Sequence, residues 1–217
     1  WGYDWESQLY ASLGFVVLEV NHRGSSGFGK GYTKAGFGEW GNMIIDDIAT
    51  GVRWVKKNAG VTSDEVCVVG KGFGGYAALM SIIERPGIFK CAVSIDNVYT
   101  DLFANWNRMP RRGAQERDAF TKVGVEPDAN VLKDASPRWR ARSIRHPILL
   151  IEPLQGFANF AYAQYGNARA FVDELRQGGV DHRLYMVESS RSDNWLKDND
   201  RQKSYFEVAK FLEQNLL

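Results

Sequence analysis

Apolar residues in this chain follow two rhythms that alternate from one end to the other. Short continuous runs rich in β-formers occur at 15–20 (FVVLEV), 65–69 (EVCVV), 89–95 (FKCAVSI), 148–151 (ILLI) and 182–187 (HRLYMV). Runs of this length and composition predict strands covered on both faces. Between them, apolar residues recur at helical spacing. Ile44, Ile45, Ile48, Val52, Trp54 and Val55 predict a helix over 43–58. Its acids, Asp46 and Asp47, come early and its Lys56 and Lys57 late, which suits the helix dipole. Further helices are predicted over 4–13, stopped by Gly14, over 76–84, ended near Pro86, and over 161–177, ended by Gly178 and Gly179. A closing helix over 204–216 carries an apolar face of Tyr205, Phe206, Val208, Phe211 and Leu212. The Arg-rich stretch 100–142, punctuated by Pro110, Pro127 and Pro137, predicts short helices and loops. Five strands alternating with helices predict an α/β fold, a mostly parallel sheet with helices on both faces and right-handed crossovers.

Composition narrows the function classes. The chain has 217 residues, 44% hydrophobic and 13% aromatic, enough for one sizeable core, and it is read as one domain over 1–217. Its 27 basic and 26 acidic residues are spread along it and leave a net charge of +1. That balance gives no field for nucleic acid or an anionic membrane. No apolar stretch approaches the roughly 20 residues that span a bilayer, so a soluble protein is expected, with the cytoplasm slightly favoured. Cys67 and Cys91 sit in apolar strand runs and read as two buried thiols, with a disulfide between neighbouring strands as the other reading. The opening Trp1-Gly2-Tyr3-Asp4 lacks a Met or a leader pattern, which suggests a trimmed or excised piece.

Chemistry in such a fold is expected at the carboxyl ends of the strands. The informative segment there is Val68 to Tyr76, V-V-G-K-G-F-G-G-Y, a strand running through a glycine turn into a helix. This is the pattern of a nucleophile elbow. Upstream, Asn21 to Gly29 reads N-H-R-G-S-S-G-F-G, followed by Glu39-Trp40-Gly41 and the Asp46-Asp47 pair. These blocks resemble the prolyl-oligopeptidase (S9) family, which includes dipeptidyl and acylaminoacyl peptidases. The elbow is similar to that family's G-x-S-Y-G-G-Y and the upstream block to its D-x-R-G-S-x-G-x-G. The resemblance extends over nearly the whole chain and implies an α/β-hydrolase fold and, for the family, serine peptidase activity. Family members also carry earlier strands, an oxyanion-contributing loop and usually a β-propeller. None of these precedes Trp1, so the domain is read as shortened at its N-terminus relative to the family.

The resemblance also implies where a catalytic triad would stand, and this sequence departs at each place. The family serine falls on Gly72, and no Ser, Thr or Cys occurs from 68 to 76. Nucleophilic catalysis needs an oxygen or sulfur at that tip. The family acid, in H-G-x-x-D, falls on Gly156 of Glu152-Pro153-Leu154-Gln155-Gly156, with Glu152 in the slot of the motif histidine. Glu152 is read as solvated or paired at the strand end, and otherwise as a displaced acid. The family histidine falls within Ser192-Asp193-Asn194, with Trp195-Leu196 favouring Asn194, and no histidine follows His182. The N–H of Phe73 would remain as half of an oxyanion site.

His22 beside the Gly-rich loop, His146 before Pro147 and His182 at a strand start read as structural. Without Cys or carboxylates at ligand spacing they make no metal site. Gly70-Lys71-Gly72-Phe73-Gly74-Gly75 lacks the spacing of either phosphate-binding glycine motif, so no nucleotide or other cofactor is expected. The Arg108, Arg111, Arg112, Arg117, Arg138, Arg140 and Arg142 cluster reads as a solvated cap-like region rather than an acidic-ligand site. Three functions follow: a silent hydrolase-like domain that binds a peptide-like ligand or a protein partner; a hydrolase, either one whose triad was replaced by engineering or an unorthodox one using Glu152, Asp193 or His22; and a structural unit that self-associates through the last strand and helix.

Overall fold

The computed structural model describes residues 2–109, 117, 120, 124, 127–153, 161–187 and 198–217. Among them, four strands form one parallel sheet in the order β1 (Cys67–Lys71), β2 (Cys91–Ile95), β3 (Ile148–Pro153) and β4 (His182–Val187). Helices are α1 (Trp5–Ser12), α2 (Lys30–Lys34), α3 (Met43–Asn58), α4 (Phe73–Glu84), α5 (Leu102–Arg108), α6 (Ala129–Asp134), α7 (Pro137–Arg140), α8 (Ala161–Gln177) and α9 (Asp198–Leu216), with a 3-10 turn at Ala141–Ser143.

Each face of the sheet carries its own core, as parallel strands require. On one face Ile45, Tyr76, Leu79, Ile82 and Phe171 pack with Ala92, Ile148 and Leu150. On the other Tyr10, Val208, Phe211 and Leu212 pack with Cys91, Val93, Ile95, Leu149 and Ile151. The two-residue period of β2 and β3 sorts neighbouring side chains to opposite cores. Helix ends follow local chemistry. The Asp4 side chain accepts from the Ser7 N–H at 3.0 Å to cap α1. The chain then leaves α1 through Gly14 at φ 92.

The structure differs from the sequence reading in several places. Phe15–Val20 is not a strand: Val16 is 70% exposed, and beyond the Phe15 N–H, which donates to the Tyr10 carbonyl at 3.3 Å, the segment pairs with no backbone among the described residues. Its composition suits a buried strand, but a strand needs a neighbouring edge, and here a cleft separates it from β1. The sheet therefore has four strands among the described residues rather than five. Cys67 and Cys91 are not free thiols but a disulfide, since the β1–β2 register sets them directly opposite at a Cα–Cα distance of 4.6 Å. Trp54, placed on the apolar face of 43–58, is 61% exposed. The last helix begins at Asp198, a turn and a half before the predicted start.

Candidate functional site

The turn between β1 and α4 has the geometry that its glycines predict. Gly72 caps α4 at φ 57 and ψ −117, a conformation that disfavours any side chain with a Cβ. Its N–H donates to the Ile95 carbonyl at 2.8 Å, and its carbonyl accepts from the Tyr76 N–H at 3.2 Å. A Cβ at Gly70 would stand 2.2 Å from the Gly74 backbone, so strand and helix approach as closely as glycine alone permits. A Cβ at Gly72 would meet nothing within 4 Å. The elbow therefore holds its tip toward open space, and that tip carries hydrogen. The Phe73 N–H opens the first turn of α4, and no backbone acceptor among the described residues takes it.

An aromatic cluster supports the elbow from beside. The Trp40 ring packs at 4.7 Å from Phe73 and 5.5 Å from Tyr76, tilted against both, and edge-to-face at 4.9 Å from Tyr99. The buried Tyr76 hydroxyl donates to the Ala135 carbonyl at 2.8 Å. His22 does reach this rim, its ring 5.6 Å from Phe73, but its Nδ1 is spent on the Arg23 carbonyl at 2.6 Å. The loop bearing it is tied to α3 by Arg23, which donates to Asp47 from Nε at 2.7 Å and from Nη2 at 2.8 Å. Arg23 holds the Asp47 carboxyl below the usual range by hydrogen bonding. Tyr99 had no sequence signal beyond lying just past an apolar strand.

Across the carboxyl edge of the sheet, β-register sets Gly72, Asp96 and Glu152 in a row. Gly72 bonds to Ile95, and the Asp96 N–H donates to Ile151 at 2.8 Å. Asp96 sits at φ 47, unusual for a residue with a side chain. Glu152 is 2% exposed, and its carboxylate meets no side-chain hydrogen-bond partner among the described residues, only the Asn97 backbone standing beside it. The reading of Glu152 as solvated is thus overturned: β3 runs one residue past it, to Pro153, and the carboxyl is buried at the sheet edge. Burial, and secondarily the nearby Asp96, push its carboxyl well above the ordinary range. Ser94 Oγ and Asn97 Nδ2, both buried, also lack partners.

Gly156 and Asn194, and with them Asp193, lie outside the described residues. His146 and His182 do not approach the elbow: each meets a backbone carbonyl at 2.7 Å, of Pro86 and Val180 respectively. The arginines turn inward more than expected. Arg138 pairs with the buried Asp101 at 2.6 Å, Arg140 with Glu84, and Arg108 donates to Asn167 at 2.6 Å. Arg111 and Arg112 lie outside the described residues. Among the described residues no group of three His, Cys, Asp or Glu could hold a metal, and no helix is long and apolar enough to cross a membrane.

Parallel sheet, two helical layers and an elbow at the strand ends define the α/β-hydrolase fold. The chain is similar over 99% of its length to a Mycobacterium tuberculosis puromycin-hydrolyzing peptidase, with a TM-score of 0.82 and 22% identity, covering 32% of that chain. It is likewise similar to a Pyrococcus horikoshii acylaminoacyl peptidase, with a TM-score of 0.80, 20% identity and coverage of 98% and 34%. The profile of the prolyl oligopeptidase family, peptidase S9, matches residues 1–217. Dipeptidyl aminopeptidase BIII of Pseudoxanthomonas mexicana is 36% identical over 157 residues, 69% of this chain and 22% of that protein. Dipeptidyl peptidase family member 6 of Caenorhabditis elegans is 29% identical over 207 residues, 94% of this chain and 27% of that protein. This chain belongs to the prolyl oligopeptidase family, whose members are serine peptidases. It spans about a quarter of the length of these curated relatives.

Proposed function

We propose that this chain is a catalytically silent member of the family, a domain that keeps the hydrolase scaffold and binds a peptide-like ligand or a protein partner without cleaving it. The observation that carries this reading is Gly72: a formed elbow whose tip points into open space with no atom that could attack a carbonyl. Residues 68–76 contain no Ser, Thr or Cys, and no histidine follows His182, so neither nucleophile nor base is at hand in the family positions. Gly156 and Asn194 complete the proposed set of replaced positions. One oxyanion donor, the Phe73 N–H, polarises a carbonyl but supplies no covalent route. The Trp40, Tyr99 and Phe73 rings beside the tip offer an apolar, aromatic floor for a peptide side chain.

A second reading rests on Glu152: a buried acid at the same sheet edge could serve an unorthodox hydrolase that activates water. The two readings separate in one experiment. The chain and a Gly72→Ser, Gly156→Asp, Asn194→His triple variant are treated with a fluorophosphonate probe and with peptide and ester substrates. The expected result is no labelling and no turnover by the unaltered chain, with labelling in the triple variant. Turnover by the unaltered chain that disappears in Glu152→Gln would sink the silent reading in favour of the second.

A further inference from the structure

Three polar side chains are buried together at the carboxyl edge of the sheet. Ser94 in β2 and Asn97, two residues beyond its end, are fully buried, and Ser94 Oγ and Asn97 Nδ2 have no hydrogen-bond partner. They are neighbours, since a Cβ on Gly75 of α4 would stand 2.8 Å from Ser94 Oγ and 3.2 Å from the Asn97 Cβ. Glu152 lies two residues past Leu150, which faces Ser94 in the β2–β3 register, so all three point to the same side of the sheet. The Asn97 backbone stands beside the Glu152 carboxyl, and Asp96 adds a charge of the same sign. The other charged groups on the surrounding elements are engaged elsewhere. Lys71 ends β1 on the opposite face, in step with Cys67 and Val69. Arg108 of α5 donates to Asn167, Glu84 of α4 pairs with Arg140, and Asp173 and Glu174 of α8 pair with Arg176 and Arg142. The Tyr76 hydroxyl is given to the Ala135 carbonyl. A buried carboxylate without a counter-charge either takes a proton or moves to water.

The elbow hangs on this same edge. The Gly72 N–H donates to the Ile95 carbonyl and the Asp96 N–H to the Ile151 carbonyl, each at 2.8 Å. Two backbone hydrogen bonds in succession therefore join the elbow tip to the residue before Glu152. We propose that Glu152 is a proton-operated latch on the elbow. With Glu152 protonated, the ends of β2 and β3 stay paired and the elbow keeps its shape. On ionisation the carboxylate moves out to water, the Asp96–Ile151 bond breaks and the elbow loses its support. Opening also lets water reach Ser94 Oγ and Asn97 Nδ2, which the closed form leaves unsatisfied, and this offsets the lost backbone bonds. Because burial raises the Glu152 carboxyl, the closed form prevails in acid and gives way as pH rises. The latch rests on the reading of the elbow as a binding site, and it makes peptide binding there stronger in acid than in base.

Amide hydrogen exchange between about pH 5 and about pH 9 tests this, each rate being taken relative to an unstructured peptide at the same pH. In the unaltered chain, protection of the Gly72 and Asp96 amides is expected to fall at least about tenfold across that range, while Val93, paired on both sides in β2, keeps its own. Glu152→Gln, which cannot ionise, is expected to keep its protection throughout. Asp96→Asn suits φ 47 and removes the like charge, so the fall at Gly72 is expected at lower pH. Constant protection in the unaltered chain overturns the proposal, as does an equal fall in Glu152→Gln or an unmoved one in Asp96→Asn. A fall shared by Val93 overturns it too, because Glu152 would then act on the whole fold rather than on the edge. Exchange needs neither ligand nor turnover, so failure of the latch and failure of the silent reading are told apart.

Discussion

Two apolar runs of similar length behave in opposite ways here. Residues 91–95 (CAVSI) form β2, buried at every position between β1 and β3. Residues 15–20 (FVVLEV) are at least as apolar, yet Val16, Val17 and Leu18 are 70%, 36% and 40% exposed and no strand forms. The difference is not intrinsic preference. β2 has a partner edge on each side and a helix layer on each face, whereas Phe15–Val20 has helices but no neighbouring strand among the described residues. A strand is thus a property of the pair, and side-chain pattern only makes a segment eligible for it.

The sharpest way to break this contrast is within the cores. Leu79→Ala, at a fully buried position of α4, should cost about 2–5 kcal/mol in denaturant melts. Gly70→Ala should cost about 3 kcal/mol or fail to fold, because its methyl would collide with the Gly74 backbone. Removing the Cys67–Cys91 bond, which closes a separation of 24 residues, should cost about 3 kcal/mol by loop entropy. Ellman titration of the unfolded, unreduced chain should find no thiol.

Glu152 gives a pH test of the sheet edge. Its carboxyl is raised in the folded chain, so the folded state binds the proton more tightly than the unfolded one. Stability is then greatest below the ordinary carboxylate range, near 4.5, and is lost as pH rises toward the folded value. Glu152→Gln should remove that slope and raise neutral-pH stability, because it takes away a carboxyl whose charged form is penalised by burial. A flat profile for the unaltered chain would show that the carboxylate is solvated. The smallest effect belongs to the unpaired segment: Val16→Ala should stay within about 0.5 kcal/mol. A cost comparable to that of Leu79→Ala would mean that Phe15–Val20 is already covered in solution.

Helices over 43–58 and 161–177 were legible to the residue because a helix satisfies its own backbone, so the required information is local. The elbow was legible for a similar reason. Its glycines answer a collision between residues four apart, Gly70 and Gly74. That Gly72, at the tip of this turn, carries no side chain is likewise written in the sequence.

Where partners are distant in the chain, sequence ran out. The disulfide needed the β1–β2 register, which no spacing reveals. The burial of Glu152 needed the length of β3 and the packing over its end, and a carboxylate beside a proline otherwise reads as surface. Trp40 was visible as part of a motif, but its place beneath Phe73, Tyr76 and Tyr99 is tertiary. By itself the sequence determined where the long helices lie, which segments are eligible to be strands, and that residues 68–76 hold no Ser, Thr or Cys. Only the tertiary structure decided which eligible strands find an edge, because a β-strand's hydrogen bonds are made with another part of the chain.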